Sequence, residues 1–284
     1  MAQFKHPEKW RETIDPFSLN YHSFRLTEVL GYPHAGNDVF HVRGVYQGEE
    51  ITAYIKSARQ KGAAIENEVA VMQKLKSPVI PRILDAGFGD HPFSVTSDMP
   101  GLRLSVIAGS NEDMVSLEYM EEYGEALGKL HASGISAEPV KDRSYFHAPD
   151  DGILKKHNLA HLKSFFENAP KETATVFCHG DFHYANLLWD NHHISGILDF
   201  ELSGYGNRDF DIAWAIIRRP GQRFLKTKEE RDLFLKGYSK YGEYNLNNIH
   251  YCMAQIYVRF MNAFDEDPEY GTFVHTWLSE NIHP

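Results

Sequence analysis

Cysteine is nearly absent: Cys178 and Cys252 are the only two in 284 residues. Two thiols build no disulfide framework, so the chain reads as a protein of a reducing compartment, with the cytoplasm as expected location. Cys178 sits in the apolar run Val176-Phe177-Cys178, the setting of a small buried filler rather than a reactive nucleophile. No stretch approaches the roughly 18 apolar residues of a membrane span. The opening MAQFKHPEKW has no apolar core of a secretory signal. A basic excess is also missing. With 29 Lys and Arg against 39 Asp and Glu the net charge is -10, which argues against a dedicated nucleic-acid binder, because counterion release needs a basic surface. Repeats and low-complexity segments are lacking too. What remains is a composition of 42% hydrophobic and 24% charged residues, enough for one large domain or two lobes with separate cores.

Residues 24–56 read as strands. Val39 to Arg43 is β-rich, Gln47-Gly48 is a turn signal, and Ile51 to Lys56 resumes the strand. Alternation puts Ile51, Ala53 and Ile55 on one face, and Thr52, Tyr54 and Lys56 on the other. The first face suits a core, the second the roof of a polar cleft. A helix is expected from Glu66 to Leu75, with Val69, Met72 and Leu75 on one stripe and Pro78 and Pro81 ending it. After the run Phe93 to Thr96, the segment Ser97-Asp98-Met99-Pro100-Gly101 carries a turn signal. This hinge divides a sheet-rich N-lobe, residues 1–98, from a mainly helical C-lobe, residues 99–284. In the latter, Tyr119, Tyr123, Ala126, Leu127 and Leu130 step at helical spacing, as do Ile249, Cys252, Met253, Ile256, Phe260 and Phe264. The aromatics Tyr119, Tyr123, Phe260 and Phe264 are expected in the core. Two lobes meeting at a hinge make a cleft, the usual ligand site.

One β-rich island interrupts the helices: FCHGDFHYANLLWDNHHISGILDFE, residues 177–201. It holds His179-Gly180-Asp181, then Asn186, then Asp199. Two short strands, Leu187-Leu188-Trp189 and Ile194 to Leu198, joined by an Asp190-Asn191 turn, would put Asp181 and Asn186 before a hairpin and Asp199 after it. The three oxygen-bearing side chains can then converge on one edge of the cleft. Phosphoryl transfer needs such a set: a carboxylate beside the acceptor hydroxyl, and hard oxygen ligands for Mg²⁺ on the phosphates. Asp181 accepts or orients the hydroxyl proton, Asn186 and Asp199 ligate Mg²⁺, and Lys56 pairs with the α- and β-phosphates. Glu68, one turn from Met72, holds Lys56, with Glu66 as the alternative. Three fixed positions at this spacing arise by chance in ~0.04 chains of this length.

These residues carry a resemblance. The chain looks like the aminoglycoside phosphotransferase and choline-kinase-like family of small-molecule kinases, on the His179 to Asn186 loop, on Ile197-Leu198-Asp199-Phe200-Glu201 and on Asp209-Phe210-Asp211-Ile212-Ala213-Trp214. The likeness extends upstream to Leu127-Gly128-Lys129-Leu130-His131, Met99-Pro100-Gly101 and Asn67 to Val71, covering roughly residues 28–215. It implies an α+β protein-kinase-like fold of two lobes. Asp181 would be the catalytic base, Asn186 and Asp199 the magnesium ligands, and Lys56 with Glu68 the phosphate-binding pair. ATP or GTP would be the phosphate donor, and a small molecule bearing a hydroxyl the acceptor. The loop Gly36-Asn37-Asp38 looks like the family's phosphate cover, Tyr54 like an aromatic that stacks on the base, and the backbone of Ser97, Asp98 and Met99 like the reader of the base edge. Gly180 stands where protein kinases usually carry an arginine that grips a phosphorylated loop, Glu201 stands in place of the glycine of their D-F-G, and no A-P-E-like element follows. The acceptor is therefore expected not to be a protein.

The remaining residues have plainer readings. His179 is expected to shape its loop from a buried position, and Asp211 to accept hydrogen bonds from the catalytic-loop backbone. A zinc centre at His179, Asp181 and His183 is disfavoured, because Asn186 and Asp199 have no part in it. The acidic run Asp265-Glu266-Asp267 is most simply a solvated loop. The sharper expectation is that it binds an amine-bearing acceptor, together with Glu201.

Overall fold

Alternating burial along residues 38–44 and 53–57 builds the middle of the first sheet. In the computed structural model, which describes residues 14–33, 36–59, 62–109, 116–171 and 173–282, five strands run β1 (Phe24–Gly31), β2 (Asp38–Tyr46), β3 (Glu49–Ser57), β4 (Ile83–Gly87) and β5 (Phe93–Ser97). They lie in the order β1-β2-β3-β5-β4, each neighbour antiparallel. β2 and β3 pair without a break from Asp38↔Ser57 to Tyr46↔Glu49. The Gln47-Gly48 turn between them has φ of 52° and 90°, the left-handed pair that matches strand twist in a tight hairpin. Ala53 and Ile55 are fully buried with Phe40, Val42 and Val95, while Tyr54 and Lys56 stay half-buried on the opposite face. Helix α1 (Ile65–Lys74) buries Ile65, Glu68, Val69 and Met72 and leaves Glu66 exposed. The N-terminal stretch read for a signal lies outside the described residues.

The chain divides into two units. One comprises the described residues up to Leu102 with Leu187–Asp190 and Ser195–Ser203; the other comprises Arg103–Asn186, Asn191–Ile194 and the residues from Gly204 onward. The second is mainly helical, with α2 (Leu104–Ala108), α3 (Leu117–His131), α4 (Asp151–Lys156) and α5 (Lys163–Glu167) before its strands. β6 (Thr175–Cys178) pairs antiparallel with β9 (Gly204–Asn207), and β7 (Leu187–Asp190) with β8 (His193–Ile197). The hairpin turn is centred on Asn191 and His192, with φ of 48° and 67°, one residue later than the Asp190-Asn191 expectation. Asparagine tolerates that conformation better than aspartate-led alternatives with bulkier neighbours. α6 (Arg208–Ile216), α7 (Lys228–Tyr238), α8 (Leu246–Ala263) and α9 (Pro268–Asn281) complete the unit.

α8 buries Ile249, Cys252, Met253, Ile256 and Phe260, as its spacing predicts. Phe264 departs from that expectation: it is 49% exposed. The helix ends at Ala263, and Phe264 takes a non-helical φ of -123°, so the periodic stripe no longer applies to it. No helix among the described residues is long and apolar enough to cross a membrane.

α3 and α7 meet backbone to backbone. A Cβ on Gly124 would stand 1.9 Å from the Phe234 carbonyl oxygen, and one on Gly237 1.9 Å from that of Glu121. Gly→Ala inside a helix ordinarily stabilises by about 1 kcal/mol. Here the clash falls on backbone, which cannot rotate away, so overpacking outweighs propensity. Gly124→Ala is expected to destabilise the protein by about 2–3 kcal/mol, read as a lower denaturant midpoint at unchanged slope.

Candidate active site

The lysine on β3 is the centre of one group of side chains. Its Nζ lies 2.8 Å from Asp199 Oδ1, 3.0 Å from Glu201 Oε2 and 3.1 Å from Glu68 Oε2. Burial alone would favour the neutral amine, but Glu68, Asp199 and Glu201 outweigh it and hold Lys56 firmly protonated. Burial also raises the pKa of Glu68; Lys56 opposes that rise, and Asp199 and Glu201 reinforce it. Glu68 Oε1 accepts the Phe200 N–H at 3.1 Å, which ties helix α1 to the segment carrying Asp199. Of the two glutamates weighed from sequence, the buried Glu68 is the one at the lysine. Asp199 has φ of 65°, rare for a residue with a side chain and typical of segments held by their surroundings.

Glu201 departs from the acceptor role expected for it. Its carboxylate accepts Asn37 Nδ2 at 2.6 Å and the Ala64 N–H at 2.9 Å, besides pairing with Lys56. Its position two residues after Asp199 carries it into the lysine cluster. Asn37 is thereby tied down, with Oδ1 accepting the Arg59 N–H at 3.4 Å, and Gly36 before it takes φ of 95°.

On the same face of the sheet, Tyr54 stacks on His41 across the β2–β3 pair, ring centroids 4.8 Å apart and planes at 20°. His41 Nε2 lies 3.3 Å from Asp98 Oδ2. Ser97 differs from expectation in one respect. Its N–H is committed to the Arg82 carbonyl at 2.9 Å, so it cannot also donate to a base edge. That leaves the segment's donors at Asp98 and Met99.

The second group gathers at the loop after β6. Asp211 lies in the first turn of α6, which Asn207 caps by accepting the Asp209 and Phe210 N–H groups. From there the Asp211 carboxylate accepts the backbone N–H of His179 at 2.9 Å and of Gly180 at 3.0 Å, and faces His131 Nε2 at 3.1 Å. Gly180 takes φ of 80°, which a side chain would resist. His179 is fully buried, and its Nδ1 accepts the Asp181 N–H at 3.3 Å. The loop is thus fixed from behind, and Asp181 projects from a rigid base.

Asp181 Oδ1 accepts Trp214 Nε1 at 2.8 Å. Its Oδ2 accepts from Asn186 Nδ2 at 3.3 Å and lies 3.5 Å from His183 Nε2. Burial opposes ionisation, but the hydrogen bond from His183 and the nearby Arg219 guanidinium prevail and hold the carboxyl well below the usual carboxylate range. Asn186 Nδ2 also donates to the Asp181 carbonyl at 3.0 Å. With the nitrogen turned inward, the amide oxygen is the atom left for a cation. Trp214 is not among the site residues expected from sequence, although its motif carries part of the resemblance. The signal was its place three residues after Asp211, which puts both on one helix face.

The acidic run is occupied with structural work. Asp265 pairs with Lys156 at 2.7 Å, Asp267 caps α9 by accepting the Tyr270 N–H at 2.9 Å, and Glu266 is exposed.

A β-rich sheet bearing a Lys–Glu pair, followed by a helical part with a braced Asp–Asn loop, defines a kinase-type enzyme. The chain belongs to the phosphotransferase enzyme family, whose model matches residues 32–244. No curated protein matches it by sequence. Among solved structures it is similar to a thermostable mutant of aminoglycoside phosphotransferase APH(4)-Ia in ternary complex with ADP and hygromycin B, at 12% identity and TM-score 0.60 over 93% of this chain and 96% of that one. It is also similar to macrolide 2'-phosphotransferase MphH from Brachybacterium faecium, at 16% identity and TM-score 0.51 over 94% and 96%. A third is Plasmodium vivax ethanolamine kinase, at 16% identity and TM-score 0.51 over 92% and 82%. At these identities the likeness establishes the α+β protein-kinase-like fold.

Proposed function

We propose that the chain transfers the γ-phosphoryl group of ATP to a hydroxyl of a small, amine-bearing molecule in the cytoplasm. The observation that carries this reading is Lys56 held at 3.1 Å from buried Glu68 and 2.8 Å from Asp199, the arrangement that positions a cation for phosphate oxygens. Residues 1–98 would form the nucleotide lobe, and residues 99–284 the lobe with the catalytic loop and acceptor pocket. The structural relatives bound to ADP and hygromycin B support a purine nucleotide donor and a small-molecule acceptor.

Lys56 neutralises the α- and β-phosphates, and Glu68 keeps its ammonium in place. Tyr54 packs on the base, whose edge meets the backbone of Asp98 and Met99, and Gly36 and Asn37 cover the phosphates. Asp181 orients the acceptor hydroxyl and takes its proton on Oδ2, whose contacts to Asn186 and His183 at 3.3 and 3.5 Å are longer than the 2.8 Å bond from the Trp214 indole N–H to Oδ1. The donor set fits magnesium: Asp199 and the outward oxygen of Asn186 are hard ligands, and three carboxylates around one ammonium leave an excess of negative charge at Lys56. When bound, Mg²⁺ supplies charge neutralisation on the transferring phosphate.

The test is a transfer screen of aminoglycosides, choline, ethanolamine and simple sugars with Mg·ATP and Mg·GTP. Acceptor-dependent ADP formation with at least one amine-bearing alcohol is expected. Turnover with GTP alone overturns the donor assignment, and no acceptor-dependent turnover across the panel overturns the activity. Once an acceptor is in hand, Trp214→Phe is expected to lower kcat by about tenfold with the nucleotide KM unchanged. One hydrogen bond to a charged group is worth about 1.5–3 kcal/mol, and part of it is recovered by solvent.

A further inference from the structure

A cavity of about 450 Å³ lies wholly within the second unit, on the Gly180 and Asp211 side of the catalytic loop. Asp181 and Asn186 do not line it. We propose that it is a binding site for a small aryl carboxylate, and that its occupant communicates with the catalytic loop through Arg143 and the Gly180 carbonyl.

The volume falls in the range of small-molecule sites. Phe146, Phe166, Phe210 and Tyr251 supply aromatic wall, which suits a flat apolar body. Arg143 is the one arginine or lysine in the lining. Its guanidinium lines the cavity and lies over the Phe146 ring at 4.7 Å and the Trp214 ring at 5.3 Å. It forms no ion pair among the described residues, and its hydrogen bond goes to a neutral acceptor, the Gly180 carbonyl, at 2.6 Å. The nearby carboxylates are committed elsewhere. Asp211 is bonded to His179, Gly180 and His131, and Asp181 to Trp214 and Asn186, so both act on Arg143 only through space. A half-buried guanidinium that forms no ion pair, in the lining of an aromatic-walled cavity, selects an anion attached to a ring.

A carboxylate drawn to Arg143 competes with the Gly180 carbonyl for the same guanidinium. Gly180 precedes Asp181, and Arg143 also overlies Trp214, whose N–H holds the Asp181 carboxylate. Occupancy is therefore felt at the base through two contacts, without the occupant touching it.

The chain's own cysteines report on the cavity, since Cys178 and Cys252 both line it and are the only thiols present. The full chain is alkylated with iodoacetamide in the presence of benzoate, phenylacetate or 3-phenylpropionate, and labelling at each cysteine is read by peptide mass. At least one carboxylate is expected to slow both thiols saturably, by about fivefold at about four times its Kd. Toluene is expected to protect less, and Arg143→Gln to abolish the carboxylate's advantage. Ala169→Trp adds bulk to the cavity lining at a residue outside the catalytic loop and is expected to remove added protection by any probe. The Trp214 fluorescence, taken as the difference from Trp214→Phe, is expected to shift with the same half-saturation. Absence of protection by all three carboxylates overturns the site, as does protection by toluene equal to theirs. Protection that survives Arg143→Gln overturns the anion assignment, and an unresponsive Trp214 overturns the link to the loop.

Discussion

Asp181→Ala is expected to lower kcat by about a thousandfold while Mg·ATP affinity stays within about twofold of wild type. The asymmetry follows from what the side chain touches. Both oxygens are engaged by groups of its own unit, Trp214 on Oδ1 and Asn186 with His183 on Oδ2, and the loop below is held independently by Asp211. Removing the carboxylate therefore takes away the proton acceptor without dismantling the loop. The measurement is steady-state turnover with the acceptor found in the screen, paired with calorimetric titration of Mg·ATP. Turnover within tenfold of wild type would show that Asp181 is not the base. Because His183 and Arg219 hold the native carboxyl below its unfolded value against the opposing effect of burial, it stays ionised across the neutral range. Any stability its contacts provide is present above the ordinary carboxylate pKa and fades only as pH falls through the depressed one. A fall in wild-type turnover near neutral pH must then come from another group.

Much of this arrangement is legible from residue order because it rests on short-range rules. Alternation along Ile51 to Lys56 separates a core face from a functional face, and the structure keeps that division. Helical spacing from Met72 selects Glu68 over Glu66, and the buried glutamate is the one that meets Lys56. Three features escape such rules. Glu201 is read by analogy with its neighbour Asp199, but its partners Asn37 and Ala64 are more than a hundred residues away in sequence, and no local pattern encodes that contact. Phe264 continues a periodic stripe past the point where the helix ends, and periodicity does not mark helix ends. Trp214 is absent from the expected site residues, since nothing in its own identity shows that its N–H faces a carboxylate. Acidic runs mislead for a related reason: charge in sequence does not distinguish a cap such as Asp267 or an ion pair such as Asp265 from a ligand site.

Asp199→Ala separates the two halves of the proposed nucleotide machinery. Lost partners of metal ligands alone cost about 10–100-fold, so loss of a direct ligand is expected to weaken Mg·ATP binding by at least about a hundredfold. Metal-free ATP should not share that loss. Asp199 competes for the Lys56 ammonium at 2.8 Å, and its removal leaves that charge shared between Glu68 and Glu201 alone. A phosphate then meets less repulsion at the lysine, and affinity in excess chelator is expected to be unchanged or slightly higher. Asp199→Asn keeps the shape and one hard oxygen, so it should fall between wild type and alanine with metal present. The experiment is calorimetric titration of ATP into each variant, with magnesium and with chelator. A loss confined to the magnesium condition assigns Asp199 to the metal; equal losses in both would make it a structural partner of Lys56; and unchanged Mg·ATP affinity would remove it from the site altogether.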